Sequence, residues 1–427
     1  MDIAKLYNYF SQCTAVATDT RKIKTGTLFV ALKGTNFNAN TFAEEALSKG
    51  AKYAIVDEPE YKTNERILLV ENTLTTLQEL ANHHRRHLGL PIIALTGSNG
   101  KTTTKELINA VLSKKYTTSA TLGNFNNHIG VPLTLLSFTK ETEIGIVEMG
   151  ANHQKEIELL CNIAEPNFGY ITNFGKAHLE GFGGYEGVIK GKSELYIHLK
   201  KHKKTAFVNL DDVIQEEKTV TISRITFGIQ NSKCNTIIEA ATANPMVEIT
   251  YNGLDIQTNL IGAYNTSNIS AAIAIGSYFK VSDDKIKQAL EEYTPNNNRS
   301  QLIERNSNRI ILDAYNANPS SMTVAINNLL QLEGDNKTAI LGDMFELGDE
   351  SKEEHKKIVY QLLDLNNIEI YFIGKAFFTH EIEKEKIHFF ETYDSFSKHF
   401  ESKKIKNNTI LIKGSRGMAL ERVLDLL

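Results

Sequence analysis

Apolar residues fall along this chain in short unbroken runs. Segments 27–32, 53–56, 92–95, 144–147 and 168–172 are of this kind, and so are 310–312, 338–341, 369–373 and 409–412. A strand covered on both faces reads as a continuous apolar run, because neither side of its pleat meets water. Between the runs the spacing turns helical. Segment 42–49 predicts a helix stopped by Gly50, and 73–87 predicts a longer one. Strands of this type alternating with helices predict mostly parallel sheets with helices on both faces.

Two stretches interrupt the pattern. One is His87-Leu-Gly-Leu-Pro91, and the other is Tyr293-Thr-Pro-Asn-Asn-Asn-Arg299. Proline and polar runs end helices, so each stretch predicts a joint. The expectation is an α/β protein of three domains, 1–90, 91–297 and 298–427, the last two with open, mostly parallel sheets. A length of 427 residues already demands more than one core.

Composition narrows the class. A net charge of -4 argues against nucleic acid as the main partner, which a basic excess usually meets. Cys13, Cys161 and Cys234 are scattered and odd in number, so they predict core packing and no disulfide framework. No apolar run is long enough for a membrane span. The N-terminus lacks the charged-then-apolar pattern of an export signal, and a cytoplasmic enzyme is expected.

The strongest chemistry lies at Gly97-Ser98-Asn99-Gly100-Lys101-Thr102-Thr103. Segment 91–96 predicts a strand, and a helix is predicted from Thr102 onward. Two glycines between them permit a tight turn whose N–H groups point at phosphate oxygens. The helix N-terminus adds partial positive charge. Lys101 would reach the outer phosphates of ATP, and the Thr102 hydroxyl would hold Mg²⁺. The common form of this loop has a glycine where Leu95 stands. The loop alone does not separate a kinase, an NTPase motor and a ligase.

Glu148 and His178 each follow a predicted strand, at the sheet end where α/β folds place ligands. Beside a phosphate loop they read as Mg²⁺ ligands, although imidazole is an unusual partner for an ion that prefers oxygen. Lys190-Gly-Lys-Ser-Glu194 reads by itself as a basic helix face.

Over essentially its whole length the chain resembles the Mur ligase family of peptidoglycan synthesis. The segments that carry the resemblance begin with 96–104, 124–136, 148–153 and 172–180. They continue with 262–268, Asn298-Arg299, 313–319, 341–348 and 413–417. The resemblance implies a central P-loop-type ATPase domain, a UDP-binding N-terminal domain and a Rossmann-like C-terminal domain. It implies that Gly97, Ser98, Asn99, Gly100, Lys101, Thr102, Thr103, Asn265, Asn268, Arg299 and Asp313 bind ATP. Catalysis would rest on Lys101, Glu148, His178 and Lys192. The metal would sit on Thr102, Glu148, His178 and a CO2-derived carbamate of Lys192, with Lys190 the rival for that modification. Asn126, Asn127, His128, Asn316, Asn318, Lys413, Ser415 and Arg416 would contact the other substrates. Asp19, Thr20, Arg21, Lys33 and Gly34 look like the uridine-diphosphate pocket.

The pattern is similar to the dipeptide-adding branch. It implies joining of D-alanyl-D-alanine to UDP-N-acetylmuramoyl-tripeptide through an acyl phosphate, by a monomer whose third domain closes over ATP. The alternative is the sister ligase that adds the third amino acid to UDP-N-acetylmuramoyl-dipeptide. Its Asp-Asn-Pro-Arg signature is absent, since Ser320 follows Asn318-Pro319. The chain departs from the family pattern in three places: Thr20 for serine, Asn38-Ala39-Asn40 for Asp-Gly-His, and Tyr264 where histidine is common.

Overall fold

The computed structural model describes every residue except 296, 297, 335, 366, 402 and 404. The joint expected at 297 therefore lies outside the described residues. Three parallel arrays carry the chain, as the apolar runs predict. The first has four strands in the order Val16–Ala17, Leu28–Val30, Tyr53–Val56 and Ile67–Leu69. The helix Thr73–Leu88 then leads to the second array. It starts at Asn72, whose side chain accepts from Thr75 N, and it stops at Gly89, which takes φ 67°.

The second array is a seven-stranded parallel sheet. Its order is Thr236–Ile238, Ser223–Ile229, Thr205–Asn209, Phe168–Ile171, Ile92–Thr96, Ile144–Glu148 and Thr118–Ala120. Ile92–Thr96 is buried at every position, as a strand with helices on both faces must be. The chain reverses direction of travel across the sheet at this strand, so loops at its C-terminal end open into a crevice.

The third array has six strands: Gln301–Arg305, Asn308–Asp313, Thr409–Lys413, Lys337–Gly342, Ile368–Ile373 and Ile387–Phe390. Only its first pair is antiparallel. The C-terminal ends of Asn308–Asp313 and Thr409–Lys413 face the same crevice as the loops of the second sheet.

One sheet departs from the parallel expectation. Ala240–Ala243, Met246–Tyr251 and Leu254–Ile261 form an antiparallel three-stranded sheet inside the second segment. Its last two strands turn at Asn252-Gly253, both with positive φ, the residue pair a tight hairpin favours. Burial alternates along Leu254–Ile261, so only one face is covered. The sheet packs on the helices Asp283–Glu292 and Asn265–Tyr278, and the latter, lying also against the seven-stranded sheet, is buried nearly all round. The helix also packs on Lys101–Leu112, the helix that follows the phosphate loop.

Ile273 sits at the middle of this sandwich with none of its surface exposed. Ile273→Ala is expected to lower unfolding stability by about 2–5 kcal/mol through the cavity it leaves. Urea denaturation of the two proteins measures the difference.

Candidate active site

The loop after Ile92–Thr96 is held by its neighbours at van der Waals limits. Gly97 has φ 145°, and a Cβ there would lie 1.9 Å from Thr172 Oγ1. Gly100 has φ 78°, and its Cβ would lie 2.6 Å from Asn268 Oδ1. Both positions therefore require glycine for conformation and for space. Ser98 donates its hydroxyl to Gly175 O at 2.6 Å. Asn99 donates its N–H to Asn173 Oδ1 at 3.1 Å, and its carbonyl accepts from Asn173 Nδ2 at 3.0 Å and from the Thr172 hydroxyl. Its side-chain oxygen accepts from Asn318 Nδ2, in the third domain, at 2.7 Å. Lys101 folds back on the loop and donates to Gly97 O at 2.7 Å. Burial pulls its pKa below the ordinary lysine value. Thr102 and Thr103 open the helix and face the crevice.

Glu148 ends the neighbouring strand with 1% of its surface exposed. Its carboxylate accepts from Thr102 Oγ1 and from Asn126 Nδ2, each at 2.8 Å. No ion pair to it exists among the described residues. A buried carboxylate held only by neutral donors is costly, and a divalent cation beside it would offset the cost. The Thr102 hydroxyl and Glu148 carboxylate are both oxygen donors, which suits Mg²⁺. Among the described residues no three His, Cys, Asp or Glu side chains converge as a metal-holding group.

His178 takes φ 54° just before the short helix Leu179–Phe182. Its Nδ1 lies against the carboxylate of Glu346 from the third domain. The imidazole holds the Glu346 carboxyl below the usual range. Lys192, the last residue of the helix Tyr185–Lys192, is wholly buried. Its amine donates to Ala151 O at 3.2 Å and lies 4.9 Å from the centre of the Phe182 ring. Burial, and then the charge of Lys101, hold its pKa well below the ordinary lysine value. Lys190 is exposed.

The phosphate loop from Ser98 to Thr103, Glu148, His178 and Glu346 line a crevice of about 1130 Å³ between the second and third sheets, whereas Lys192 is buried behind its wall. Asn265 and Asn268 are on its wall, yet their amides serve the protein. Asn268 Nδ2 donates to Asn265 Oδ1 at 2.9 Å, and Asn265 Nδ2 donates to Ile261 O at 2.8 Å. Asp313 accepts from Lys413 Nζ at 2.6 Å and from Ser300 N at 3.3 Å. Lys413 is almost fully buried, so its charge is spent on Asp313. Ser415 accepts from Phe345 N at 2.9 Å. The Asn127 side chain accepts from Ile129 N and Gly130 N, while His128 and Asn316 are exposed. Arg299 and Arg416 both lie over the Tyr315 ring, at 3.8 and 5.0 Å.

The residues of the expected uridine-diphosphate pocket stand elsewhere: none of Asp19, Thr20, Arg21, Lys33 and Gly34 is on the crevice wall. The Asp19 carboxyl is held down to about 2 by hydrogen bonds from Arg21, whose guanidinium it pairs at 2.7 Å. Lys33 pairs with Asp57 at 3.1 Å and Glu58 at 3.3 Å. Asn38 and Asn40 form a closed network with the same two carboxylates, so the departure there is structural. Sequence reasoning gave no role to Asn173, Tyr315, Ser320 or Glu346. Asn173, Tyr315 and Glu346 lie in segments already singled out and Ser320 directly follows one, and only their positions beside the other domain's loops mark them.

Three family models match the chain. "Mur ligase family, catalytic domain" covers residues 12–85, "Mur ligase middle domain" 95–276, and "Mur ligase, glutamate ligase domain" 298–416. The UDP-N-acetylmuramoyl-tripeptide–D-alanyl-D-alanine ligase of Bacillus subtilis is 35% identical over 96% of this chain and 92% of its own. A crystal structure of MurF from Acinetobacter baumannii superposes with a TM-score of 0.87, at 30% identity, covering 99% of this chain and 98% of that one. MurF ligase from Thermotoga maritima, in complex with ADP, superposes with a TM-score of 0.85 at 28% identity, covering 98% and 97%. This chain belongs to the Mur ligase family.

Proposed function

We propose that the protein joins D-alanyl-D-alanine to UDP-N-acetylmuramoyl-tripeptide at the expense of ATP, by way of an acyl phosphate. The observation that carries this reading is the single crevice that unites a phosphate loop, the buried carboxylate Glu148 and side chains of the third domain. Relatives named for this reaction match nearly the full chain. Residues 1–90, 91–297 and 298–427 act as three substrate-holding units in this reading. Asp19, Thr20, Arg21, Lys33 and Gly34 take the uridine diphosphate. The phosphate loop takes ATP, and Asn265, Asn268 and Arg299 flank it.

A carboxylate is a poor electrophile, so the acceptor's terminal carboxylate is first phosphorylated by ATP. Lys101 swings from Gly97 O to the outer phosphate oxygens and offsets charge there. Mg²⁺ at Thr102 and Glu148 would supply further charge neutralisation when bound. The amine of D-alanyl-D-alanine then attacks the acyl carbon, and phosphate leaves. The third domain, held on Asn99 through Asn318, positions the amine donor and keeps water from the acyl phosphate.

Lys192 is the carbamylated residue in this reading. Only a neutral amine attacks CO2, and burial depresses the Lys192 pKa toward that state. The exposed Lys190 lacks this condition. The carbamate would add a hard oxygen donor to Thr102, Glu148 and His178. The sister-ligase reading is disfavoured by Ser320. That position, arginine in the sister signature, instead receives Lys176 N on its hydroxyl at 2.8 Å and serves the contact between domains.

Phosphate release is expected only when UDP-N-acetylmuramoyl-tripeptide and D-alanyl-D-alanine are both present with ATP and Mg²⁺. Release of equal rate without either would overturn the ligase reading. Lys192→Ala is expected to lower kcat about a hundredfold. Added formate or acetate is expected to restore part of it, as an external carboxylate standing in for the carbamate. Full activity of Lys192→Ala without rescue would refute the modification.

A further inference from the structure

Arg299 and Arg416 are far apart in the chain, one at the second joint and one in the loop after Thr409–Lys413. Neither guanidinium has a hydrogen bond or ion pair among the described residues. Their shared contact is the ring of Tyr315. A guanidinium lying over an aromatic face keeps its N–H donors in plane and directed outward. Both groups are therefore oriented without a hydrogen bond or ion pair to the described residues, and both line the crevice. Arg299 is also close enough to Lys101 to depress its pKa. Lys101, Arg299 and Arg416 all line the crevice, and the carboxylate of Asp313 lines it too. That carboxylate is already taken by Lys413 and Ser300 N.

The placement of the ring is itself tied to the phosphate loop. Tyr315 lies between Asp313 and Asn318, and Asn318 reaches Asn99 of that loop at 2.7 Å. An anion gripped by Arg299 and one gripped by Arg416 would therefore be set by the same ring. Anions that present two oxygens side by side, a phosphate to one and a carboxylate to the other, suit the two guanidiniums.

We propose that Tyr315 is a positioning residue that holds Arg299 for the nucleotide phosphates and Arg416 for the carboxylate of the amine donor, and so links the two subsites. This rests on the ligase reading above. Losing the ring face frees both long side chains, so both substrates bind less well while the reacting groups are untouched.

The test is steady-state kinetics with ATP and D-alanyl-D-alanine varied in turn, together with ADP affinity by calorimetry. Tyr315→Leu is expected to raise both KM values about five- to tenfold and to lower kcat less than about threefold. Tyr315→Phe, which keeps the ring, is expected to return both constants to within about twofold of the parent. Tyr315→Met replaces Tyr315→Leu if the latter does not fold. In the Tyr315→Leu background, Arg416→Gln is expected to add little to the dipeptide KM. A change in one KM alone, equal damage from Tyr315→Phe, or a full additive loss from Arg416→Gln would overturn the proposal. If the parent does not ligate, the ligase reading falls. ADP affinity still judges the ring in that case, since an unchanged value in Tyr315→Leu would overturn its hold on Arg299.

Discussion

Asn99 is the residue on which the active geometry hangs. Its N–H and carbonyl are tied to Asn173 and Thr172, on the loop after the next strand of the same sheet. Its side chain is tied to Asn318, which caps the helix Pro319–Gln331 of the third domain. One asparagine therefore fixes the phosphate loop to its own sheet and fixes the third domain to the phosphate loop. The two glycines beside it allow this, because neither could carry a Cβ without striking Thr172 or Asn268. A loop held at so many points can present its N–H groups to a ligand with little reordering, and preorganisation of that kind strengthens phosphate binding.

The site stores charge that the folded chain alone leaves poorly compensated. Glu148 is buried among neutral donors, and Lys192 is buried against a carbonyl and a ring. An apolar residue would be less costly at either place, so the proposed chemistry and not the fold accounts for each of them. A cation suits Glu148. A neutral amine suits Lys192, and a neutral amine is the reactive form toward CO2. Lys413 contrasts with both. It is equally buried but paired with Asp313, and its role is to brace the loop that carries Tyr315.

Local signals were legible in the sequence, and contacts between distant segments were not. The phosphate loop could be read because its glycines, lysine and threonine act within one turn. Glu148 could be placed because a buried strand ends on it. The antiparallel sheet was missed although Asn252-Gly253 marks its hairpin, since its strands lie inside a segment dominated by parallel runs. The set formed by Tyr315, Arg299 and Arg416 could not be read at all. It depends on how the ends of Asn308–Asp313 and Thr409–Lys413 align, with Asp313 paired to Lys413 in register. The Asn38–Asn40 departure looked like a change to a ligand pocket, but Asn40 is wholly buried and bonded to Asp57.

Four polar contacts tie the second and third domains together around the phosphate loop. Asn318 meets Asn99, Ser320 meets Lys176 N, Glu354 pairs with Lys176 at 2.8 Å, and Glu346 meets His178. All four are polar, and three of them fall on the loop between Phe168–Ile171 and Leu179–Phe182 or on its end. Polar contacts of this kind exchange for water at small net cost, so they favour a defined closed arrangement without locking it. The same loop carries Asn173 against the phosphate loop and His178 beside the proposed metal position. In the proposed reaction, a nucleotide on the phosphate loop would act directly on the surface that the third domain contacts. An amine donor held by that domain would meet a crevice whose ATP end is already set.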